Sequence, residues 1–304
     1  MLSIILKLRN VNKLYPYIEN TRITNWRGYL GIGLLGFIHA ACIQYINITD
    51  LALKLVIYII SLSFYLGFAF SINNCFDALS DSINPIKKGK NPIARGELNF
   101  KKAYIVSILL SLLGIVWNII FIGNLGALAI YLSLITLAYF YSAPPLRLKS
   151  KPPFDLISHG LFFGVLIYYY GLVFHYVRGL YDIKLMVMLM SIFTYSTLLN
   201  LRNHIEDYEG DSKAGIKTTA VYLGLARSLR LLSILIHLHM MLLALVINVV
   251  LEYTLIFILY PLFFVLSFTI SVNIDERLKY LRVLDTITLI VYILYTIYTI
   301  RVLL

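Results

Sequence analysis

Nine apolar runs, near residues 28–47, 51–74, 103–123, 126–141, 156–177, 183–201, 229–250, 253–273 and 284–304, are each about as long as a membrane-crossing helix. Inside a bilayer no water is available to the peptide groups, so every backbone donor and acceptor in such a run must be satisfied within the chain. The runs are too long and too continuously apolar for barrel strands, and the fold class that follows is an all-α integral membrane protein with nine transmembrane helices. Composition agrees: 60% of the 304 residues are apolar and 13% charged, against about 45–50% and 25% in an ordinary soluble domain.

Nine crossings put the chain ends on opposite sides, and the basic residues then divide unequally. The amino-terminal segment, the 74–102 and 142–155 loops, the stretch from 202 to Arg230 and the 274–283 loop carry 22 of the 26 Lys and Arg. The other face has only Lys54, Arg178, Lys184 and Arg301. Lys and Arg accumulate in cytoplasmic loops, so the amino terminus and the four rich loops are expected in the cytoplasm, in the cell membrane. The net charge of +11 is then explained by topology and by anionic lipid or phosphate at that face, and no nucleic acid partner is required. The first 27 residues hold Lys7, Arg9, Lys13, Arg22 and Arg27 with no leader-length apolar core between them, so the amino terminus is expected to be retained. Cys42 and Cys75 fall in or at the ends of apolar runs, which gives no basis for a disulfide framework or a cysteine metal site.

Polar residues at the ends of two of these runs carry the chemistry. Asn73-x-x-x-Asp77-x-x-x-Asp81 closes the second run, and Asn203-x-x-x-Asp207-x-x-x-Asp211 follows the sixth. On a helix, residues four apart share a face, and the ends of such a triplet lie roughly 12 Å apart at about 1.5 Å per residue. Carboxylates at a membrane edge are costly without a cation, a water-filled cavity or a function. Both triplets open onto the same side, so they can face one cavity. A weak internal repeat follows, about 51–150 and 183–283, within one domain spanning 1–304.

Carboxylate and carboxamide oxygens suit hard cations, and Mg²⁺ is usually held by one or two carboxylates together with substrate phosphates. Two facing triplets suit Mg²⁺ and, through it, a diphosphate. The basic residues on the same face that can meet the remaining phosphate oxygens are Lys90, Arg95, Arg147, Lys149, Arg202, Lys213 and Lys217. A diphosphate on an apolar tail places its head there and its tail between helices, and cation stabilisation of the leaving group makes allylic C–O cleavage feasible.

The first triplet, the loop Tyr141-Ser142-Ala143-Pro144-Pro145-Leu146-Arg147-Leu148-Lys149, and Asp207–Asp211 followed by Gly215-Ile216-Lys217-Thr218-Thr219 together resemble the UbiA superfamily of intramembrane prenyltransferases. The resemblance covers residues from about 20 to 300. It implies nine transmembrane helices in a horseshoe around a central cavity, and Mg²⁺-dependent transfer of a prenyl group from a prenyl diphosphate donor to a lipophilic acceptor. By motif position it implies that Asn73, Asp77, Asp81, Asp207 and Asp211 are metal ligands. It extends the diphosphate set to Asn203, and places Tyr141, Arg147 and Lys149 over the diphosphate, with Lys217 as a further basic position. Asp77, Asp207, Lys149 and Tyr141 are the expected catalytic residues.

Two departures stand out: Asn74 where many relatives have Asp, and Asn91-Pro92 where many have Arg-Pro, with Lys90 or Arg95 available as the substitute cation. Basic loops are expected on this face whatever the function, and Tyr commonly anchors a membrane interface, so these residues carry less weight than the acidic triplets. His204, beside the second triplet, is a candidate base. The acceptor is not fixed by any motif, and the absence of an aromatic-acid signature favours an ether-lipid glyceryl phosphate over an aromatic or quinone precursor. The rival reading is a cation-coupled transporter, whose ion sites ordinarily lie near the bilayer midplane on broken helices, not at helix ends.

Overall fold

The computed structural model describes residues 13–43, 48–175, 183–250, 256–272 and 277–303. Lys7, Arg9 and Arg178, counted above for orientation, lie outside them. The long elements are α1 (Arg27–Ile43), α2 (Ile48–Ile83), α3 (Phe100–Trp117), α4 (Leu125–Ser142), α5 (Phe154–Phe174), α6 (Ile183–Glu206), α7 (Leu225–Val250), α8 (Ile256–Val272) and α9 (Arg277–Leu303). No strand occurs among the described residues. Seven spans, one in each of α2 to α7 and α9, are long and apolar enough to cross a membrane. The two remaining runs, in α1 and α8, form helices of 17 residues.

Helix starts and stops follow local chemistry. Asn99 caps α3 by accepting from the Lys101 and Lys102 amides, and Asn124 caps α4 by accepting from Gly126 and Ala127. Between them the chain leaves α3 through a widened turn, Asn118–Ile122, and reverses at Gly123, whose φ of 63° suits a residue without a Cβ. The helices run past the apolar runs at their polar ends. α2 is the clearest case: its 36 residues extend to Ile83, nine beyond the run that marks it. At about 1.5 Å per residue it reaches roughly 54 Å, well over the thickness of a hydrocarbon core. Its surplus turns carry the first acidic triplet.

Packing in lipid depends on close backbone approach, because lipid tails are as apolar as Leu side chains. The face that α3 buries is Ala103, Ser107, Ser111 and Gly114, while Ile105, Leu109, Leu112, Leu113 and Val116 point outward. α1 and α5 touch through glycines: a Cβ on Gly36 would collide with the Tyr168 carbonyl, and one on Gly171 with the backbone of Gly33 and Phe37. α5 meets α6 the same way, since a Cβ at Gly160 would strike Thr197 and Phe193. A buried polar thread fastens the far end of this assembly. Asn118 donates to Ser61 Oγ at 2.8 Å, the Tyr170 hydroxyl donates to Asn118 Oδ1 at 2.9 Å, and the Tyr131 hydroxyl donates to the Ser61 carbonyl at 3.2 Å. Every member of that thread is fully buried, so removing one would leave its partners unpaired in an apolar setting.

Candidate active site

The connections that follow α2, α4 and α6 gather at one end of the bundle, and two adjoining cavities open there. A polar cavity of about 440 Å³ is lined by all six triplet residues: Asn73, Asp77 and Asp81 from α2, and Asn203, Asp207 and Asp211 from the end of α6 and beyond. An aromatic cavity of about 570 Å³ lies beside it. The two share a wall of Arg22, Asn25, Asn73, Tyr141, Asn200 and Asn203. Residues more than 100 positions apart are thus brought into one chamber.

The two triplets are built differently. Asn73, Asp77 and Asp81 stand on one uninterrupted helix, as their spacing predicts. α6 ends at Glu206; Asp207 leads into a separate short helix, Tyr208–Lys213, which holds Asp211. The four-residue step survives this break, because the Asp207 amide still donates to the Asn203 carbonyl and the Asp211 amide to that of Asp207, each at 2.9 Å.

Each carboxylate has a cation beside it. Lys149, from the turn Leu148–Ser150, contacts Asp77 Oδ1 directly, and Arg147 Nη2 lies 3.8 Å from the same oxygen. Arg22 Nη2 is 3.6 Å from Asp81, whose other contact is a 2.9 Å hydrogen bond from Asn91 Nδ2. Lys87 Nζ bridges Asp207 and Asp211 at 3.1 Å each. Desolvation penalises the charged form of Arg22, Lys87, Lys149 and Asp211. Burial pulls the Lys149 ammonium down to about 7, with Arg22 acting in the same direction and Asp211 opposing. It lowers the Arg22 guanidinium as well, against the pull of Asp81 and Asp207. Burial works against Lys87 too, but Asp211 and Asp207 outweigh it and hold its pKa above the usual lysine value. Asp211 is raised by its burial, with Lys87 opposing and Asp207 adding to the rise.

Hydrogen-bond donors here exceed what the carboxylates use. The Nε atoms of Arg22, Arg147 and Arg202 are buried and donate to no acceptor among the described residues. A buried guanidinium N–H without an acceptor is costly, and an oxyanion entering the chamber would satisfy it. Among the described residues no three His, Cys, Asp or Glu side chains group closely enough to hold one ion between them. The carboxylates stand instead in small sets around a shared space, with ammonium groups between them. One or two carboxylates with room for further oxygen ligands is the donor set Mg²⁺ takes, so the residues fit that ion together with a phosphate-bearing ligand.

The other residues singled out by sequence fall in several places. Tyr141 is buried on the shared wall, and Asn73 Oδ1 accepts from Ser142 at 3.3 Å. Lys90 lines the polar cavity, and Arg202 the aromatic one. Arg95 is committed elsewhere, to Glu19 at 2.5 Å, Glu97 at 2.7 Å and the Gly89 carbonyl at 2.5 Å. The place left by the missing Arg-Pro pair holds Asn91 itself, donating to Asp81. Lys213 and Lys217 are exposed and line neither cavity. Three residues that sequence reading left among topological charges or unmarked polar positions stand at or beside the triplets, Arg22, Lys87 and Asp155, and Asn91, marked only as a departure, joins them. Asp155 is fully buried, accepts from the Thr219 amide and hydroxyl at 2.5 Å each, and lies 3.4 Å from His204 Nδ1. It thereby ties the start of α5 to the 214–224 segment under the second triplet. Spacing held no signal for Arg22 or Lys87, because each is long enough to reach a chamber set by other elements.

A profile described as the UbiA prenyltransferase family matches residues 33–283. The chain belongs to this family. Similar sequences include a digeranylgeranylglyceryl phosphate synthase of Sulfurisphaera tokodaii, 28% identical over 70% of this chain and 71% of the relative. A synthase of the same name from Saccharolobus solfataricus is 29% identical over 73% and 74%. A lycopene elongase/hydratase of Haloarcula japonica is 32% identical over 52% of this chain and 50% of that one. Among solved structures, a digeranylgeranylglyceryl phosphate synthase matches with a TM-score of 0.70 at 24% identity, over 95% of this chain and 99% of that one. A UbiA homolog from Archaeoglobus fulgidus bound to GPP and Mg²⁺ matches at 0.65 and 22%, over 94% and 99%. This member of the UbiA family is therefore a multi-pass membrane enzyme of prenyl transfer. Membership leaves the transporter reading without support.

Proposed function

We propose that this UbiA-family protein transfers a prenyl group from a prenyl diphosphate to a lipophilic acceptor, releasing diphosphate, with an ether-lipid glyceryl phosphate favoured over an aromatic or quinone precursor. The observation that carries the reading is the convergence of two separately encoded acidic triplets on one cavity that also collects Arg22, Lys87, Lys90 and Lys149. The names of the Sulfurisphaera and Saccharolobus relatives support the acceptor.

In this reading Asp77, Asp81, Asp207 and Asp211, with Asn73 and Asn203, are the residues that would hold Mg²⁺. Bound there, Mg²⁺ supplies charge neutralisation for the departing diphosphate. Lys149, Lys90, Arg22 and Arg147 meet the phosphate oxygens that face away from the carboxylates. Arg202 stands apart from them in the adjoining aromatic cavity, and Lys213 and Lys217 lie outside both cavities. The allylic C–O bond breaks with its electron pair leaving on the diphosphate. Tyr29, Phe70, Phe162 and Phe163 line the cavity beside Tyr141, and in this reading their rings shield the allylic cation from water. Those rings are held in contact, with Tyr29 and Phe163 centroids 4.4 Å apart and Phe162 and Phe163 also 4.4 Å. A widened turn at Leu161–Val165 helps bring both adjacent phenylalanines to the cavity, since neighbours on a regular helix point about 100° apart. The acceptor hydroxyl then attacks the first prenyl carbon, and its proton passes to Asp77 or to a diphosphate oxygen.

The same reading takes α1 and α8 as the two further crossings, making nine around the cavity in a horseshoe. It places the amino terminus and the site on the cytoplasmic side of the cell membrane, with surrounding lipid as the medium for both substrates. It also takes the chain as one domain in which α2 to α4 and α6 to α8 form the weak repeat. The test is a reconstituted assay with donors of several lengths and a panel of acceptors. Mg²⁺-dependent diphosphate release should disappear in Asp77→Ala and in Asp207→Ala, and release that persists in either variant overturns the reading.

A further inference from the structure

The aromatic cavity has a feature that prenyl chemistry does not use. Beyond its ring-lined wall it presents three guanidinium groups, Arg22, Arg27 and Arg202, against a single carboxylate, Asp285. With Arg22 drawn toward Asp81, the pair Arg27 and Arg202 against Asp285 keeps a net positive charge that suits a phosphomonoester. Arg22 stands on the wall shared with the polar cavity and is engaged with Asp81, whereas Arg27 and Arg202 line the aromatic cavity alone. Arg202 is only loosely held. Its contacts to Glu206 and Asp285 are both 3.6 Å, beyond hydrogen-bonding distance, and its buried Nε–H has no acceptor among the described residues. Arg27, at the first turn of α1, is exposed at the cavity mouth. A neutral isoprenoid end would leave the buried Arg202 Nε–H unpaired beside it, at a cost in desolvation. A bidentate phosphate acceptor would satisfy that N–H.

We infer that Arg27 and Arg202 bind the phosphate of the acceptor lipid, separately from the donor diphosphate, and so select a phosphorylated glyceryl ether over neutral acceptors. The shared wall of Asn25, Asn73, Tyr141, Asn200 and Asn203 gives the geometry its sense. A phosphate anchored at Arg202 sends the short glycerol backbone toward that wall, where a free hydroxyl faces the first carbon of a donor whose diphosphate lies among the triplets.

Resting as it does on the glyceryl phosphate acceptor proposed above, the inference is tested by a comparison that separates the two. Purified enzyme in neutral-lipid bilayers is assayed with one donor and three acceptors: a prenylglyceryl phosphate, the same lipid without its phosphate, and a neutral isoprenoid. Arg202→Gln and Arg27→Gln should each raise KM for the phosphorylated acceptor roughly ten-fold or more, and leave the donor KM within about two-fold. Any loss of rate should be larger with the phosphorylated acceptor than with the dephosphorylated lipid. Arg202→Lys should recover part of the loss. Adding an anionic phospholipid to the bilayer should compete weakly, whereas strong competition would assign the groups to bulk lipid and overturn selection. If the wild type uses the phosphorylated acceptor but both variants keep its KM, the inference falls while the acceptor stands. Raised donor KM would move these arginines to the diphosphate and equally overturn it. If the wild type prenylates only neutral acceptors, the acceptor and the inference both fail. Thermal unfolding of each variant confirms folding, and the exposed position of Arg27 keeps the test open should Arg202→Gln not fold.

Discussion

Replacing Lys87 with Gln isolates the electrostatics of the second triplet. The Lys87 ammonium touches Asp207 and Asp211 at 3.1 Å each, so their contacting oxygens are at most about 6 Å apart. Without it, two carboxylates that separation apart repel by about 3 kcal/mol at an effective dielectric constant of 20. Asp207 is about a third exposed, with its side chain at 32%, and solvent screening reduces the repulsion to roughly 1–2 kcal/mol. The variant is therefore less stable without divalent metal. It also loses an internal competitor for the same oxygens, and 1–2 kcal/mol corresponds to roughly 5- to 30-fold tighter apparent metal binding. The assay is thermal unfolding of the detergent-purified protein as Mg²⁺ is titrated from micromolar to tens of millimolar. Lys87→Gln should start at a lower Tm, gain more from the titration than the wild type, and reach half-saturation at lower Mg²⁺. Weaker Mg²⁺ binding in the variant, or a Tm that ignores the metal in both proteins, would show that these carboxylates do not hold it.

Other expectations can be checked in parallel. Lys149→Met should lower kcat/KM for the donor by about 100-fold, because it removes a buried cation from the phosphate side of the chamber, whereas Lys213→Gln and Lys217→Gln, at exposed positions, should stay within about two-fold. Gly171→Val should cost upwards of about 3 kcal/mol in thermal or denaturant unfolding, because its Cβ has no room against the α1 backbone. Asn91→Leu should raise the donor KM, since it strips Asp81 of its 2.9 Å hydrogen bond and leaves it Arg22 at 3.6 Å. A donor KM unchanged in Asn91→Leu would remove Asp81 from the site.

Much of this molecule is readable from the order of its residues. Run length and hydropathy dictate spanning helices because a peptide group in hydrocarbon has no partner but its own chain. The four-residue spacing of Asn73, Asp77 and Asp81 survives intact on α2, since a helix repeats by itself. The equivalent spacing after α6 persists across a break, held by the same backbone bonds. What spacing does not reveal is which distant side chains fill the room between the triplets. Lys87 and Arg22 were visible only as loop charges, and Arg95 looked equally suited until Glu19 and Glu97 were found around it. Such choices depend on where glycine contacts let α1, α5 and α6 approach, and on how far a flexible side chain reaches from there. A helix is determined by neighbours in sequence. A charge-balanced chamber is determined by neighbours in space, and only the packed chain has those.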